Sequence, residues 1–184
     1  MIFEGSPMPG LEVKFQRLEP GALGEGAEIA GYASVFGIAD QGGDRVMPGA
    51  FAAGLGRLKA EGRSVKMLWQ HDPARPIGVW DEMVEDAHGL RVKGRLLTEV
   101  QAGREAKALL EAGAIDGLSI GYRTLRAGKA AGGRELQELD LWEVSLVTFP
   151  MLPEARVGGR SHALARGLAE VFTDATSKLG ARPA

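Results

Sequence analysis

The chain contains no cysteine, which excludes disulfide staples, thiolate zinc sites and a cysteine nucleophile and fits a reducing compartment. It also lacks charge of one dominant sign. Its 22 Lys and Arg residues stand against 24 Asp and Glu, a net charge of −2, so there is no electrostatic footprint for nucleic acid or an anionic membrane. No basic-then-apolar leader opens the sequence, and no uninterrupted apolar run is long enough to span a bilayer, so a soluble intracellular protein is expected. Histidines number three and are scattered without a His-Glu-x-x-His pattern, which gives no metal-ligand set. The Gly-rich segments carry neither the Lys-Ser/Thr of a phosphate loop nor the strand-loop-helix setting of a dinucleotide site. No cofactor is expected.

What is present is a chain of 184 residues, 45% hydrophobic, long enough for one domain with a real core. Its 27 glycines, with several short alternating runs, point to a turn-rich, mainly β architecture with helices, of the α+β class. Leu11, Val13 and Phe15 alternate with charged residues as a half-buried strand. Glu28 to Phe36 reads as a second. Asp44 to Phe51 leads into a short helix with Phe51, Leu55 and Leu58 on one face and Pro48 in its first turn. Ser64 to His71 is strand-like and stops at Asp72-Pro73. Pro76 to Glu82 is extended, and Leu90 to Leu96 shows the cleanest period-two pattern. Thr98 with Gln101 forms a capping-box signature for a helix over Glu99 to Ala112, ending at Gly113. A turn at Gly128 to Gly133 precedes an extended run to Phe149, with Trp142, Val144 and Leu146 on one face and Glu143 and Ser145 on the other. A last amphipathic helix is expected from about Ser161 to Leu179, with a body over 1–157 and a helix-plus-tail over 158–184 that dimerises or is self-processed.

The run Gly117-Leu118-Ser119-Ile120-Gly121-Tyr122 carries the candidate nucleophile, Ser119, which taken alone reads as a solvent-face strand serine. Leu118, Ile120 and Tyr122 can face a core while Ser119 lies on the other face between two glycines, open to a substrate and sharing its side with Arg123. Glycine weakens a strand by about 0.5–1 kcal/mol relative to alanine, so the pair implies a close approach to the backbone there. A serine hydroxyl needs a base, usually an imidazole oriented by a further polar group. His88 lies in a hairpin turn and His162 at the start of the last helix, where solvated or capping roles suffice. His71 instead ends an apolar strand at a sheet rim, where sites tend to form. Glu143, within Leu141 to Val147, is costly to bury unless its charge is paired. It is the leading orienting carboxylate, with Arg123 as its competing partner and with Asp72 and then Asp44 as alternatives. The strand-to-helix elbow that carries the serine of α/β-hydrolases is not met, because Ser119 is embedded in a strand.

Three segments together resemble the prohead (procapsid maturation) serine proteases of tailed phages of the HK97 type. They are Gly31 to Phe36 leading to Asp44 to Phe51, then Leu68-Trp69-Gln70-His71-Asp72, then Gly117 to Tyr122 continuing to Glu143-Val144-Ser145-Leu146-Val147-Thr148-Phe149-Pro150. The compact length is also similar to the protease of a gene transfer agent capsid cluster. The resemblance implies an antiparallel β-barrel flanked by helices, similar to the herpesvirus assembly protease. It implies His71 as general base, Ser119 as nucleophile and Glu143 as third member; the herpesvirus enzymes use a second histidine there, which here would have to be His88 or His162. It further implies a serine endopeptidase, without cofactor, acting inside the immature capsid in the cytoplasm of the producing cell. Its partners would be the major capsid protein with its scaffolding segment and copies of itself. The other class of function is a non-catalytic internal scaffold or capsid-binding β-barrel module.

Overall fold

The computed structural model describes residues 11–18, 22–40 and 42–148. The chain divides into Met1–Leu152 and Pro153–Ala184. The expected helix from Ser161, the boundary at 157 and His162 therefore lie outside the described residues.

Eight strands form one curled sheet in the order β1-β7-β8-β4-β5-β6-β2, with the two-residue β3 added alongside β8. The strands are β1 (Glu12–Arg17), β2 (Glu28–Val35), β3 (Arg45–Val46), β4 (Lys66–Trp69), β5 (Asp72–Glu85), β6 (Gly89–Leu96), β7 (Gly117–Ala130) and β8 (Gly133–Val147). Helices α1 (Ala52–Ala60) and α2 (Gln101–Glu111) complete the described elements, with a short 3-10 turn before β2. Most ladders are antiparallel, but β3 and β4 both run parallel to β8. The edge strands β1 and β2 approach each other, Leu18 lying against Gly31, without joining in a ladder. The sheet is thus a curled, mostly antiparallel half-barrel of the α+β class expected, with parallel pairing confined to β3 and β4 on β8. β3 and β4, joined through α1, run in the same direction and pair with successive stretches of β8, Arg45 and Val46 with Glu135 and Leu136 and Lys66 to Trp69 with Glu143 to Leu146.

Alternation builds the core. Leu90, Val92 and Leu96 of β6, Leu118, Ile120 and Tyr122 of β7, and Val144 and Leu146 of β8 are all buried. Phe51 and Leu58 dock α1 as expected. This helix has no local side-chain cap; the Glu85 carboxylate of β5 accepts the Gly49 and Phe51 N–H groups instead. The Thr98 capping box also fails to form: the residue before α2 is Val100, without a side-chain bond. Gly113, at φ 69°, ends α2 in the left-handed region that glycine tolerates.

Three departures from simple alternation matter below. Asp72-Pro73 does not stop the sheet: β5 begins there, and Pro73 and Pro76 are accommodated because β5 pairs irregularly with β4 between Leu68 and Trp69. The register of β7 on β8 shifts between Gly121 and Tyr122, which face Glu143 and Leu141. Trp142 is the extra residue of that bulge and is exposed, although Val144 and Leu146 are buried. Lys14, expected on the solvent side of β1, is buried, its Nζ donating to Asp40 Oδ2 at 3.1 Å and to the Asp44 carbonyl at 2.8 Å. Burial pushes this ammonium below its ordinary range, and Asp40 offsets part of that.

Beside it, Arg134 donates from its side chain to both oxygens of Asp44 and to Glu12 Oε2, and from its backbone N–H to Asp44 Oδ1. Burial alone would raise the Asp44 carboxyl, but these Arg134 bonds outweigh it and hold the group below its ordinary value. Glu12 behaves the same way, with Thr124 and Arg134 overcoming burial. A carboxylate whose folded pKa is depressed contributes stability above its unfolded pKa and loses it as pH falls through the folded value. The urea midpoint is therefore expected to drop on acidification below about pH 4. Arg134→Met should flatten that acid limb when unfolding is followed by circular dichroism across pH.

Candidate active site

The sequence places His71 at the tip of the β4–β5 hairpin. Trp69 pairs with Asp72, leaving Gln70 and His71 as a two-residue loop with φ values of 51° and 63°. Positive φ at both central residues is what a type I′ hairpin turn requires, and it ordinarily selects Asn and Gly. The backbone donors of both turn residues tie it to β8: Gln70 N–H donates to the Leu146 carbonyl at 3.0 Å, and His71 N–H donates to Ser145 Oγ at 3.1 Å; the Gln70 side chain adds a bond to Thr148 Oγ1 at 3.3 Å. The turn swings the imidazole onto Glu143, with Nδ1 2.6 Å from Oε1. Glu143 is 1% exposed and the His71 side chain 21%. An ionised carboxylate only accepts, so in this pair Nδ1 carries the proton and the Nε2 of a neutral imidazole keeps a free lone pair. The other carboxylate oxygen, Oε2, accepts a hydrogen bond from the Ser145 hydroxyl.

Gly121 makes room for that carboxylate. It pairs with Glu143 across the β7–β8 ladder, and a Cβ there would lie 2.1 Å from Glu143 Oε1 and 2.8 Å from Cδ. Gly117 does the same for Phe15, whose ring carbon would be 2.0 Å from an added Cβ. Both glycines flanking Ser119 are thus explained by close approach, from within the protein and not from a substrate. Gly121→Ala is expected to keep the fold but to evict Glu143 from its bonds with His71 and Ser145. The check is a kcat fall of about 10²-fold, on the order seen when a reacting group is misplaced by about 1 Å, in a protein that circular dichroism shows folded but with Tm lowered because the buried carboxylate loses its partners.

Ser119 stands in the middle of β7, directly across from Ser145 of β8 and from Phe15 of β1. Directly opposed residues share a face of the sheet, so Ser119 lies one alternate position from Gly121, whose partner is Glu143. It is 4% exposed, and its hydroxyl donates to the Lys14 carbonyl at 3.2 Å. The open, solvent-facing serine expected from the alternation is therefore a covered one, because β1 pairs along β7 and brings Phe15 over Gly117.

The remaining sequence candidates go elsewhere. Asp72 Oδ1 accepts the Ala74 N–H at 2.9 Å, and Asp44 is held by Arg134. Arg123 pairs with Asp140 at 3.3 Å and lies over the Trp142 ring, so it does not pair with Glu143. His88 is exposed and packs edge-on against Tyr32. Among the described residues no group of three or more His, Asp or Glu side chains is disposed to hold a metal, and no helix is long and apolar enough to cross a membrane. Ser145 is the participant the sequence reading passed over. Its signal was its spacing, two residues from Glu143 on the same strand face.

The curled mixed sheet that carries these side chains has a counterpart in fold among phage capsid proteases. The sequence pattern of the caudovirus prohead serine protease family matches residues 12–169, and the chain belongs to that family. The prohead protease of Enterobacteria phage HK97 is 32% identical over 151 residues, a match that covers 79% of this chain and 66% of that protein. The chain thus spans just under two thirds of that relative's length. The structure of the bacteriophage T4 capsid assembly protease shares the fold, with a TM-score of 0.59 at 15% identity, over 76% of this chain and 98% of that one.

Proposed function

We propose that this chain is a serine endopeptidase of procapsid maturation that removes the scaffolding segment of the major capsid protein, and trims itself, inside the immature shell. Family membership supports the reaction class, and the 2.6 Å bond between His71 Nδ1 and Glu143 Oε1 is the single observation that carries the residue assignment. Ser119 is the nucleophile, His71 the general base and Glu143 the group that orients it. In the reaction the Ser119 hydroxyl turns from the Lys14 carbonyl to the imidazole, and Oγ attacks the scissile carbonyl while Nε2 takes its proton. The same proton then goes to the leaving amine. The acyl-enzyme so formed is hydrolysed by water with His71 again as base. The glutamate keeps Nδ1 protonated throughout and favours the imidazolium that forms. As the family resemblance implies, the half-barrel is read as a relative of the herpesvirus assembly protease barrel, and the working enzyme as a homo-oligomer.

The test is co-expression with the cognate major capsid protein and mass spectrometry of that protein. A shortened capsid N-terminus is expected. A full-length capsid protein that copurifies with the chain in immature shells would favour the scaffold reading instead.

A further inference from the structure

We propose that Ser145 is a positioning residue of this site, a hydroxyl that locks the carboxylate and the histidine turn into one closed ring. The inference rests on the assignment of His71 and Glu143 above and adds a residue to it.

The ring is complete in its donors and acceptors. His71 N–H donates to Ser145 Oγ, Ser145 O–H donates to Glu143 Oε2, and Glu143 Oε1 accepts from His71 Nδ1. A serine hydroxyl has one proton and two lone pairs. Its proton is committed to the carboxylate and a lone pair to the backbone of the very residue whose imidazole that carboxylate orients. Ser145 is 0% exposed, so water is not at hand to replace either bond. An unpaired polar group at such a site costs about 1–3 kcal/mol.

Two features show what the ring holds in place. First, His71 has φ 63°, a conformation that an L-residue with a side chain adopts only against a penalty of about 1–3 kcal/mol. Its N–H bond to Ser145 is one of the two backbone N–H bonds that carry the turn onto β8. Second, the Glu143 carboxylate lies in the space left by Gly121, where nothing on the glycine side can hold its second oxygen. Ser145 supplies that hold. Because Ser145 is also the cross-strand partner of Ser119, the ring is in register with the serine, and a shift of β8 would move all three groups together.

The experiment uses the full chain with Ser145→Ala, which removes the hydroxyl from a site where a smaller side chain fits, and Ser145→Cys, which keeps the size with a weaker donor. Two readouts are taken. In the otherwise unchanged enzyme, Ser145→Ala should lower kcat for capsid cleavage by about 10²-fold with little change in KM, the size expected for a misplaced catalytic group, and Ser145→Cys should fall between. In a Ser119→Ala background, which needs no activity, the low-field proton resonance of His71 Nδ1 should broaden or disappear on adding Ser145→Ala. Wild-type kcat together with an unmoved Nδ1 resonance in Ser145→Ala overturns the proposal. If cleavage does not depend on Ser119 at all while the Nδ1 resonance still responds to Ser145, the protease assignment fails and the positioning of the imidazole stands.

Discussion

Ser119→Ala is expected to reduce turnover of the capsid substrate by about 10⁶-fold, the scale on which removal of a covalent nucleophile acts in serine hydrolases. The residual rate would come only from binding and from whatever N–H groups face the developing oxyanion. The variant should remain folded. The Ser119 side chain contributes one hydrogen bond, to the Lys14 carbonyl, and its loss costs about 1 kcal/mol, small beside the core formed by Leu118, Ile120, Val144 and Leu146. Capsid mass spectra should therefore show uncut protein while circular dichroism and Tm stay near wild type. Cleavage at the wild-type rate would remove Ser119 from the mechanism.

Glu143→Gln should be nearly as damaging, with kcat lowered by about 10³–10⁴-fold. The reason lies in the tautomer and not in the loss of charge alone. In the variant, the Ser145 hydroxyl still needs an acceptor and draws the amide oxygen to the place of Oε2. The NH₂ group then faces His71 Nδ1, which has to accept. The imidazole consequently carries its proton on Nε2, and no lone pair is left there to receive the Ser119 proton. The glutamine occupies the same space below Gly121, so stability should change little. The discriminating measurement is the tautomer itself: nitrogen chemical shifts of His71 should exchange their Nδ1 and Nε2 assignments in the variant. Unchanged shifts with unchanged kcat would show that Glu143 does not orient the base.

Much of this arrangement could be read from residue types alone. Glu143 betrayed itself as a carboxylate within an apolar strand, which is stable only when paired. His71 was set apart from His88 by its place at the end of Met67-Leu68-Trp69, and the period-two pattern of β6 returned as buried Leu90, Val92 and Leu96. What escaped was decided by partners distant in the chain. Lys14 reads as a solvent-facing residue of β1 until Asp40 and Asp44 are brought against it. Trp142 reads as core by its phase with Val144 until the bulge opposite Tyr122 adds a residue to β8 and breaks that phase. Thr98 and Gln101 have capping-box spacing, yet α2 starts after Val100, out of step with a cap at Thr98. The exposure of Ser119 was misjudged for a related reason, since a strand pattern says which residues share a face and not what lies upon it. The glycines around the serine were correctly taken as signs of crowding, but the crowding atoms are Phe15 and Glu143.

The hairpin that carries His71 has an implication for how this protein can be improved by engineering. Gln70, at φ 51°, holds a conformation that glycine or asparagine would adopt more readily, and its side chain lies outside the ring, with a single 3.3 Å bond to Thr148 Oγ1 to set against the relief. Thermal robustness is thus available one residue away from the base, at a position that library selection for heat tolerance should find early. His71 has no such freedom. Any lineage descended from this chain is expected to relax the first residue of the loop and to retain the tension in the second.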